Sequence, residues 1–452
     1  MEFKQLRKKY PCFVYENYSY NLSGKNLIVV FDFRIEPGIE FSSKLTIQGI
    51  DKKKFSRIDK NVLDNLVFNL GLIESLSYWK STCSPKIQVN AGYLSKEQTS
   101  WWRDLIINGM GQFFYENRID FRPKDFVEIR ASGKKETAKH AGPKNKKVLV
   151  PIGGGKDSIV TLELLNRSKK QIGCFSLNPI SAAQRVMKMG GCKDAIIIKR
   201  TIDKNLLQLN KKGFLNGHTP FSAYLAFLSI LLAALFDYQY IALSNERSSN
   251  EGNVRYLGKT INHQYSKSFD FEKKFRNYSK KYLSDNIEYF SFLRPLYEIQ
   301  ISGLFSNFTE YFPVFLSCNE SQKTHSGKTK PGQKWCSVCP KCLFVFMSLY
   351  PFVEKKQLIK IFGENLFENR KLLPLLKELI GEIKFKPFEC VGTQKESLAA
   401  LYLGWKKEDK KEMPYLLKYF EERIMPKHKD VAADSLKIME SWNKQHKIPR
   451  GF

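Results

Sequence analysis

Apolar and polar positions follow two different periodicities in the first 140 residues of the chain. Residues 26–33 are rich in strand-forming side chains and residues 44–48 alternate between polar and apolar, whereas residues 61–76 and 98–116 carry apolar side chains at helical spacing. This mixture predicts an N-terminal α+β domain over residues 1–143. The polar residues 132–147 at its end are typical of a linker or a mobile loop.

From Val148 onward, short apolar runs alternate with helical segments. Strands are predicted at residues 148–152, 171–177, 194–198, 240–243 and 287–293, and helices at residues 157–167, 180–189 and 221–236. This alternation predicts an α/β fold with a doubly wound, mainly parallel sheet, in which ligands bind at the carboxyl ends of the strands. We assign residues 144–350 to this catalytic domain, and the lysine-rich, proline-punctuated residues 351–452 to a C-terminal helical region.

The longest apolar run, residues 221–236, is interrupted by serine and tyrosine and is shorter than the roughly 20 residues that cross a bilayer. It therefore predicts a buried helix and no membrane span. The chain opens with charged residues and no apolar segment of a secretion signal follows them. Together with an odd number of cysteines, nine, this favours a cytoplasmic protein whose thiols are mostly reduced.

Composition changes this picture in one respect. A hydrophobic fraction of 42% with 13% aromatic residues indicates ordinary globular packing, but the formal net charge is +29. Such a charge attracts polyanions, whether nucleic acid, nucleotides, phosphosugars or an anionic membrane surface. A solvated lysine-rich surface gives the same excess, so charge alone leaves the ligand class open.

A glycine-rich loop lies between the strand at 148–152 and the helix at 157–167. Its residues are Gly153, Gly154, Gly155, Lys156, Asp157 and Ser158. Three glycines let backbone N–H groups face an anion at a helix N-terminus, Lys156 and Ser158 can bind phosphate, and Asp157 can hold the magnesium that accompanies ATP. We predict an ATP site at this loop, with Ser176 and Asn245 near the ends of neighbouring strands. The alternative is a tight turn that needs glycine for packing.

Three polar segments follow later elements of the predicted sheet, at residues 215–220, 244–253 and 262–268. Each combines amide, hydroxyl, carboxylate or cationic side chains, which suits a substrate with several hydrogen-bonding groups. One such segment alone is ordinary loop chemistry, whereas their shared position favours a site. Arg294, after the next strand, is a further candidate contact to phosphate or carboxylate.

The glycine-rich loop resembles that of the PP-loop, or N-type ATP pyrophosphatase, superfamily, which runs Ser-Gly-Gly-x-Asp-Ser. Here Gly153 replaces the leading serine, so one phosphate contact is missing. Within that superfamily, residues 151–158, 216–222, 244–252, 262–268 and 388–392 together resemble the MurL family of ATP-dependent UDP-N-acetylmuramoyl-L-alanyl-L-glutamate epimerases. The resemblance implies that the terminal L-Glu of UDP-MurNAc-L-Ala-L-Glu is converted to D-Glu through adenylation of its carboxylate, with release of AMP and diphosphate, in peptidoglycan precursor synthesis.

Adenylation explains why an isomerase would use ATP. Loss of the α-proton from a free carboxylate places a second negative charge beside the first, whereas the neutral mixed anhydride gives up this proton more readily. Proton carriers must then lie within hydrogen-bond reach of Cα on each face. The candidate catalytic residues are Lys156, Asp157, His218, Glu246, Arg247, His263, Tyr265 and Cys390. A lone cysteine is more often a buried small hydrophobe, and the sequence does not assign the roles.

Four cysteines have the spacing of metal ligands: Cys318, Cys336, Cys339 and Cys342. Four thiolates can close a tetrahedral zinc site, and an iron–sulfur cluster is the competing assignment. We favour structural zinc because epimerisation needs no electron transfer. A similar group binds zinc in the PP-loop enzyme that makes 7-cyano-7-deazaguanine.

That comparison nominates an alternative function, a PP-loop enzyme that modifies tRNA or a nucleobase, for example by thiolation. Cys174 and Cys192, the other cysteines in the catalytic domain, lie within or before hydrophobic strands and are predicted to be core. We expect the UDP-MurNAc-dipeptide as the partner rather than nucleic acid, although the charge leaves nucleic acid open. We also expect residues 1–143 to contribute to substrate recognition. The oligomeric state does not follow from the sequence.

Overall fold

The computed structural model describes residues 2–133, 138–143, 145–322, 334–383 and 385–452. The predicted linker at 132–147 and the segment 323–334 between the cysteines therefore fall partly outside the described residues. Within the described residues, ten strands form one sheet and two more form a small hairpin. The strands are β1 (Cys12–Ser23), β2 (Asn26–Glu36), β3 (Ile39–Gln48), β4 (Lys86–Val89), β5 (Glu128–Ala131), β6 (Val148–Pro151), β7 (Ile172–Leu177), β8 (Ile196–Thr201), β9 (Tyr240–Leu243), β10 (Val254–Tyr256), β11 (Lys259–Ile261) and β12 (Glu288–Ser291).

The helices predicted at 61–76, 157–167, 180–189 and 221–236 are present, the range 98–116 divides into two helices at Met110, and the region after residue 350 is helical as predicted. The described helices outnumber the predicted ones. They are α1 (Phe3–Lys9), α2 (Lys52–Phe55), α3 (Lys60–Trp79), α4 (Lys96–Gly109), α5 (Gly111–Glu116), α6 (Lys156–Arg167), α7 (Ser181–Met189), α8 (Lys204–Lys211), α9 (Phe221–Phe236), α10 (Phe269–Tyr282), α11 (Glu298–Phe305), α12 (Asn319–Gln322), α13 (Pro340–Leu349), α14 (Lys355–Phe362), α15 (Leu373–Leu379), α16 (Gln394–Lys407), α17 (Tyr415–Tyr419) and α18 (Val431–Glu440).

One half of the sheet is parallel and sets the position of the site. Its strands lie in the order β12-β9-β6-β7-β8, and each neighbouring pair is parallel. Successive strands thus run from β6 to β8 in one direction, and the chain then returns to place β9 and β12 on the other side of β6. In such sheets ligands bind where the strand order reverses, at the carboxyl ends of the strands. The glycine-rich loop follows β6 at this point.

The other half of the sheet comes from the N-terminal residues. β1, β2 and β3 form an antiparallel meander, and β3 pairs antiparallel with β8, which joins the two halves. The α/β class with a large, mostly parallel central sheet is thus confirmed. The sheet is continuous across the predicted boundary at residue 143, and the division into domains stays a prediction.

Helices cover both faces of the parallel strands. α9 packs on one face, where Leu149, Ile241 and Leu243 belong to the same buried core. α6, α7, α11 and α13 share the opposite core with Val148, Val150 and Ala242. α9 is the predicted buried helix, and no helix in the described ranges is long and apolar enough to cross a membrane.

The cysteines differ in one respect from the expectation. Cys174 and Cys192, predicted as separate core residues, form a disulfide with a Cα–Cα distance of 5.8 Å. It joins β7 to the residue that follows the glycine pair after α7. The other seven cysteines form no disulfide.

Candidate active site at the carboxyl edge of the sheet

The glycine-rich loop has two kinds of glycine. Gly154 has φ +90°, and a Cβ there would lie 2.7 Å from the backbone nitrogen of Ala183, so both backbone and packing exclude a side chain. A Cβ on Gly153 would meet nothing within 4 Å. Packing therefore explains Gly154, whereas Gly153 faces open space, as a backbone that approaches a ligand would. This is also the position at which the superfamily pattern carries serine.

A cavity of about 400 Å³, which we call the loop cavity, opens beside this loop. It brings together most of the predicted residues, because the segments after β6, β9 and the β10–β11 hairpin converge there. Its lining includes Gly153, Gly155, Asp157, Ser158, His218, Asn245, Glu246, His263, Gln264, Lys267, Ser317, Asn319, Lys341 and Cys390. The predicted nucleotide loop and the predicted proton carriers thus share one cavity.

Three carboxylates, two of them buried, lie together at the loop. Asp157, Glu246 and Glu298 each place an oxygen within 4.8 Å of the others, and the Lys156 ammonium contacts both Asp157, at 2.5 Å, and Glu298. Burial raises the pKa of Glu246, and the negative charge of Glu298 raises it further. Burial opposes ionisation of Glu298 as well, but Lys156 and Lys341 outweigh it and hold its pKa low. Glu246 is thus the member of the group best suited to carry a proton.

Cys390 has two polar neighbours in the loop cavity. Lys267 Nζ lies 3.2 Å from its Sγ, and His263 Nε2 lies 4.0 Å from it. His263 Nδ1 is 2.5 Å from Oε1 of Gln112, an acceptor, so Nδ1 carries the proton and Nε2 is free to accept one. Cys390, His263 and Lys267 therefore form a group in which a thiol proton has an acceptor and the resulting negative charge has a cation beside it.

The two histidines of the cavity are neutral. Their ring centroids are 4.6 Å apart. Burial is the main cause that lowers the pKa of His218 to about 3, and repulsion from His263, when that ring is protonated, is the second. Burial, and then the positive charge of Lys267, lowers the pKa of His263 to about 4. An imidazole held neutral near pH 7 can accept a proton from a substrate or from Cys390.

These pKa values predict an acid-sensitive fold. In the unfolded chain both histidines titrate near 6.5, so between about pH 6.5 and 4 the unfolded chain binds more protons than the native one. The free energy of unfolding is therefore expected to fall as pH drops through this window, by up to about 1.4 kcal/mol per pH unit for each histidine. Urea unfolding at a series of pH values from pH 7 to pH 4.5 measures this fall in the free energy of unfolding. His218→Gln should flatten the profile, and His428→Gln, on the C-terminal part, should not; equal slopes in all three proteins would contradict the prediction.

Five predicted residues do not line the loop cavity; one is Gly154, which packs against Ala183 as described above. Lys156 is 2% exposed and turned toward Glu298. Arg247 lies with its guanidinium 4.3 Å from the ring centroid of Tyr297. Tyr265 donates to Asp270, at 3.1 Å, on the side away from the cavity. Ser176 lines an adjoining apolar cleft of about 270 Å³ and donates to the carbonyl of Ile152.

Arg294 was a candidate ligand contact and the structure places it elsewhere. Its side chain is fully buried, and it pairs with Glu272 at 3.1 Å and donates to the carbonyl of Glu246 at 2.6 Å. It therefore supports the segment that carries Glu246. Three charged residues of the site are not among the predicted ones: Lys267 and Lys341, which line the loop cavity, and Glu298, which lies beside it and pairs with Lys156. The first lies inside the predicted polar segment 262–268, and the other two had no local signal.

The four cysteines converge as their spacing indicated. Sγ–Sγ distances are 3.9 Å for Cys318 and Cys339, 3.6 Å for Cys336 and Cys342, and 3.5 Å for Cys339 and Cys342. A tetrahedral ion with bonds of about 2.3 Å needs sulfurs about 3.8 Å apart. A cubane would distribute its thiolates over several irons and hold them farther apart. The donor set therefore fits a single ion.

This cysteine cluster is attached to the loop cavity at two points. The N–H of Leu316, two residues before Cys318, donates to the carbonyl of Gly154 at 2.9 Å. Lys341, between Cys339 and Cys342, contacts the carbonyl of Cys390 and lies 3.7 Å from Glu298. A group that holds the four cysteines together would therefore also hold the Gly154 and Cys390 sides of the loop cavity in place.

Comparison with known proteins covers nearly the whole chain. Residues 4–292 match the family model described as the MurL N-terminal domain, and residues 314–435 match the MurL C-terminal domain. The chain is 31% identical over 387 residues to the UDP-N-acetyl-alpha-D-muramoyl-L-alanyl-L-glutamate epimerase of Xanthomonas oryzae pv. oryzae, covering 84% of this chain and 83% of that protein. Proteins of the same description from a Micromonospora species and from Salinispora tropica are each 30% identical, covering 89% and 90% of this chain and 88% of each relative.

Proposed function

The chain belongs to the MurL family, and on this premise we propose that it epimerises the terminal L-glutamate of UDP-MurNAc-L-Ala-L-Glu in an ATP-dependent reaction of peptidoglycan precursor synthesis. The observation that carries the proposal is the loop cavity. It places a glycine-rich anion loop, with Asp157 and Ser158, in the same space as Cys390 and two neutral histidines. A nucleotide that activates a carboxylate and a group that moves the neighbouring proton need this proximity.

The features of the loop support a place for ATP. Gly153 leaves open space, the N-terminus of α6 points its N–H groups toward it, and the apolar cleft beside Ser176 offers a surface for the adenosine. Asp157 would hold the magnesium that accompanies the triphosphate, where it neutralises phosphate charge. Lys267 and Lys341 line the same cavity and suit the remaining anionic groups of nucleotide and substrate. We assign the chain to the PP-loop superfamily on the loop and on the strand order around β6.

The mechanism follows from the placement of these groups. An oxygen of the glutamate α-carboxylate attacks the α-phosphate of ATP and diphosphate leaves, which gives an acyl-adenylate in which the former carboxylate no longer carries a charge beside Cα. Cys390, with His263 as acceptor and Lys267 as the adjacent cation, exchanges the Cα proton on one side. Glu246 and His218 are the groups in the same cavity that can carry a proton on the other side. Water then cleaves the anhydride and AMP leaves.

The cysteine cluster is proposed to bind structural zinc through Cys318, Cys336, Cys339 and Cys342. The sulfur spacing supports one tetrahedral ion, and the attachments to Gly154 and Cys390 give that ion a role in shaping the cavity. All four ligands are protein thiols, so the ion would have no open position for substrate.

The function is tested by incubating the protein with ATP, magnesium and UDP-MurNAc-L-Ala-L-Glu in heavy water. We expect AMP and diphosphate to form, and deuterium to appear at the glutamate Cα of the D-product. Mass spectrometry measures the deuterium, and chiral analysis of the released glutamate measures the D-product. If no deuterium enters the substrate and no AMP forms, the proposal is wrong. If D-product forms together with ADP instead of AMP, the adenylation step is wrong.

A tRNA- or nucleobase-modifying activity was the alternative. Each of the three relatives carries the epimerase description, and Cys174 and Cys192 are bonded to each other rather than presented to a cavity. Neither observation favours sulfur transfer, so the epimerase remains the single proposal.

A further inference from the structure

A second cavity lies at the far end of the β10–β11 hairpin from His263. It has a volume of about 480 Å³, within the range of small-ligand sites, and we call it the hairpin cavity. Its walls are α4, the segment 121–124 and the turn at residues 257–259. The residues that carry the argument are Arg103, Phe121, Arg122, Lys124 and Lys259.

The hairpin cavity is cationic. Four of its side chains are positively charged, against one carboxylate, Asp104, which is paired with Lys274 at 2.8 Å. Arg122 is paired with Asp120 at 2.8 Å. Across the part of the chain that the structure describes, no carboxylate lies within 4.0 Å of the ammonium of Lys124 or Lys259. The cavity therefore suits an anion rather than a neutral ligand.

An aromatic surface adjoins these charges. Phe121 is only 3% exposed but its ring lines the cavity, and the ammonium of Lys259 lies 5.7 Å from the ring centroid. Leu257 and Gly258 both have positive φ, +50° and +82°, the conformation of a tight hairpin turn. This turn fixes Lys259 above Phe121. Phe121 is thus part of the floor of the cavity, and the cations held around it are the groups that can bind phosphates.

Two chain segments connect this cavity to the Cys390 group. β11 and the turn after it lead from Lys259 to His263, and four residues at the rise of a strand set an upper limit of about 13 Å. The second path runs from Asp104 in α4, past the break at Met110, to Gln112 in α5, which contacts His263; eight residues at the rise of a helix span about 12 Å. Both paths therefore indicate that the hairpin cavity and His263 lie no more than about 13 Å apart along these elements.

The proposed substrate has its anionic ends at a comparable distance. Its glutamate Cα must lie near Cys390, and the two amide-linked units before the sugar span about 7.6 Å at about 3.8 Å each. The lactyl ether and the sugar ring then add a similar length before the diphosphate. We propose that the hairpin cavity binds the uridine diphosphate of the substrate, with the cations on the phosphates. This inference rests on the proposed function, and it gives the N-terminal residues their part in recognition.

The test uses UDP as the probe and the full chain throughout. The double variant Lys124→Glu with Lys259→Glu reverses two exposed charges of the cavity, and Lys410→Glu with Lys411→Glu is the matched control on an exposed C-terminal turn. We expect wild-type protein and control to bind UDP equally in calorimetry, and the cavity variant to bind at least tenfold more weakly. For the full substrate, KM should rise at least tenfold with kcat within twofold. For MurNAc-L-Ala-L-Glu, which lacks UDP, the cavity variant should equal wild type.

The outcomes separate the two proposals. UDP binding that is absent, or that the cavity variant leaves unchanged, overturns the site, whether or not the protein is an epimerase. UDP binding that responds to the charge reversal in a protein without epimerase activity overturns the proposed function and retains a nucleoside-diphosphate site. An equal loss of kcat on both substrates would show a structural effect and also overturn the site.

Discussion

Replacing Cys390 with alanine is expected to lower the rate of epimerisation by about 10³-fold, within the usual contribution of a general acid–base group. The thiol is the side chain that lies 3.2 Å from the ammonium of Lys267 and 4.0 Å from Nε2 of His263, so its loss removes the proton carrier from that side of the cavity. AMP formation should fall by much less, since the adenylation step uses the loop around Asp157. The variant would then convert ATP to AMP without forming D-product.

Two further variants make this result interpretable. Cys12→Ala removes another half-buried free cysteine, in β1 away from the cavity, and should leave both rates unchanged. Asp157→Asn should differ from Cys390→Ala, because AMP formation and epimerisation should be lost together. The measurements are AMP by chromatography and deuterium incorporation at Cα on the same samples. Epimerisation within about threefold of wild type in Cys390→Ala would remove this residue from the mechanism.

Loss of the cysteine cluster is expected to have the largest effect on stability. Structural zinc contributes on the order of 10 kcal/mol to the folding of small domains, so Cys342→Ser should abolish binding of the ion and lower the free energy of unfolding by several kcal/mol. Cys342 is fully buried between the other ligands. Trp335, adjacent to Cys336 and packed on Phe315 at 5.2 Å, gives a fluorescence signal for local unfolding.

Cys83→Ser is the matched control, since Cys83 is also free and fully buried but lies in the N-terminal half. It should keep the metal and cost only about 1–3 kcal/mol, the range for a buried polar group without a good partner. Metal analysis of the wild type is expected to find one zinc per chain and no visible absorption of an iron–sulfur cluster. A wild type that is found without metal, or that is equally stable before and after treatment with a chelator, would refute the structural ion. AMP formation should fall with the metal, because Leu316 and Lys341 lose their support.

Features set by local sequence were accessible without the structure. The glycine-rich loop is defined by a strand, three glycines and a helix start, and the cysteines by short spacings, so both could be located from residues close in sequence. Glu298 could not, because its role depends on contact with Lys156, 142 residues away, in a buried interior. A carboxylate at the start of a short helix carries no local sign of such a partner.

Side-chain direction within a predicted segment was also out of reach. Residues 262–268 were predicted to belong to the site as a whole, but a short 3-10 turn at Tyr265–Lys267 sends neighbouring side chains to different sides. His263 and Lys267 line the loop cavity, whereas Tyr265 points to Asp270. Arg294 was misassigned for a related reason: a cation after a strand suits a phosphate, yet here burial beside Glu272 makes it a structural ion pair.

The pairing of β3 with β8 has a consequence for how this protein can be divided. Cutting the chain near residue 144 would leave β8 as an open edge of the parallel half, with its backbone N–H and C=O groups opposite Lys44–Ile47 unpaired. Exposed edges of this kind recruit other strands, so each half produced alone is expected to aggregate rather than act as a module. Because the residues before and after 144 share this sheet, any transplant of substrate specificity between relatives would have to exchange loops around the sheet rather than everything on one side of residue 144.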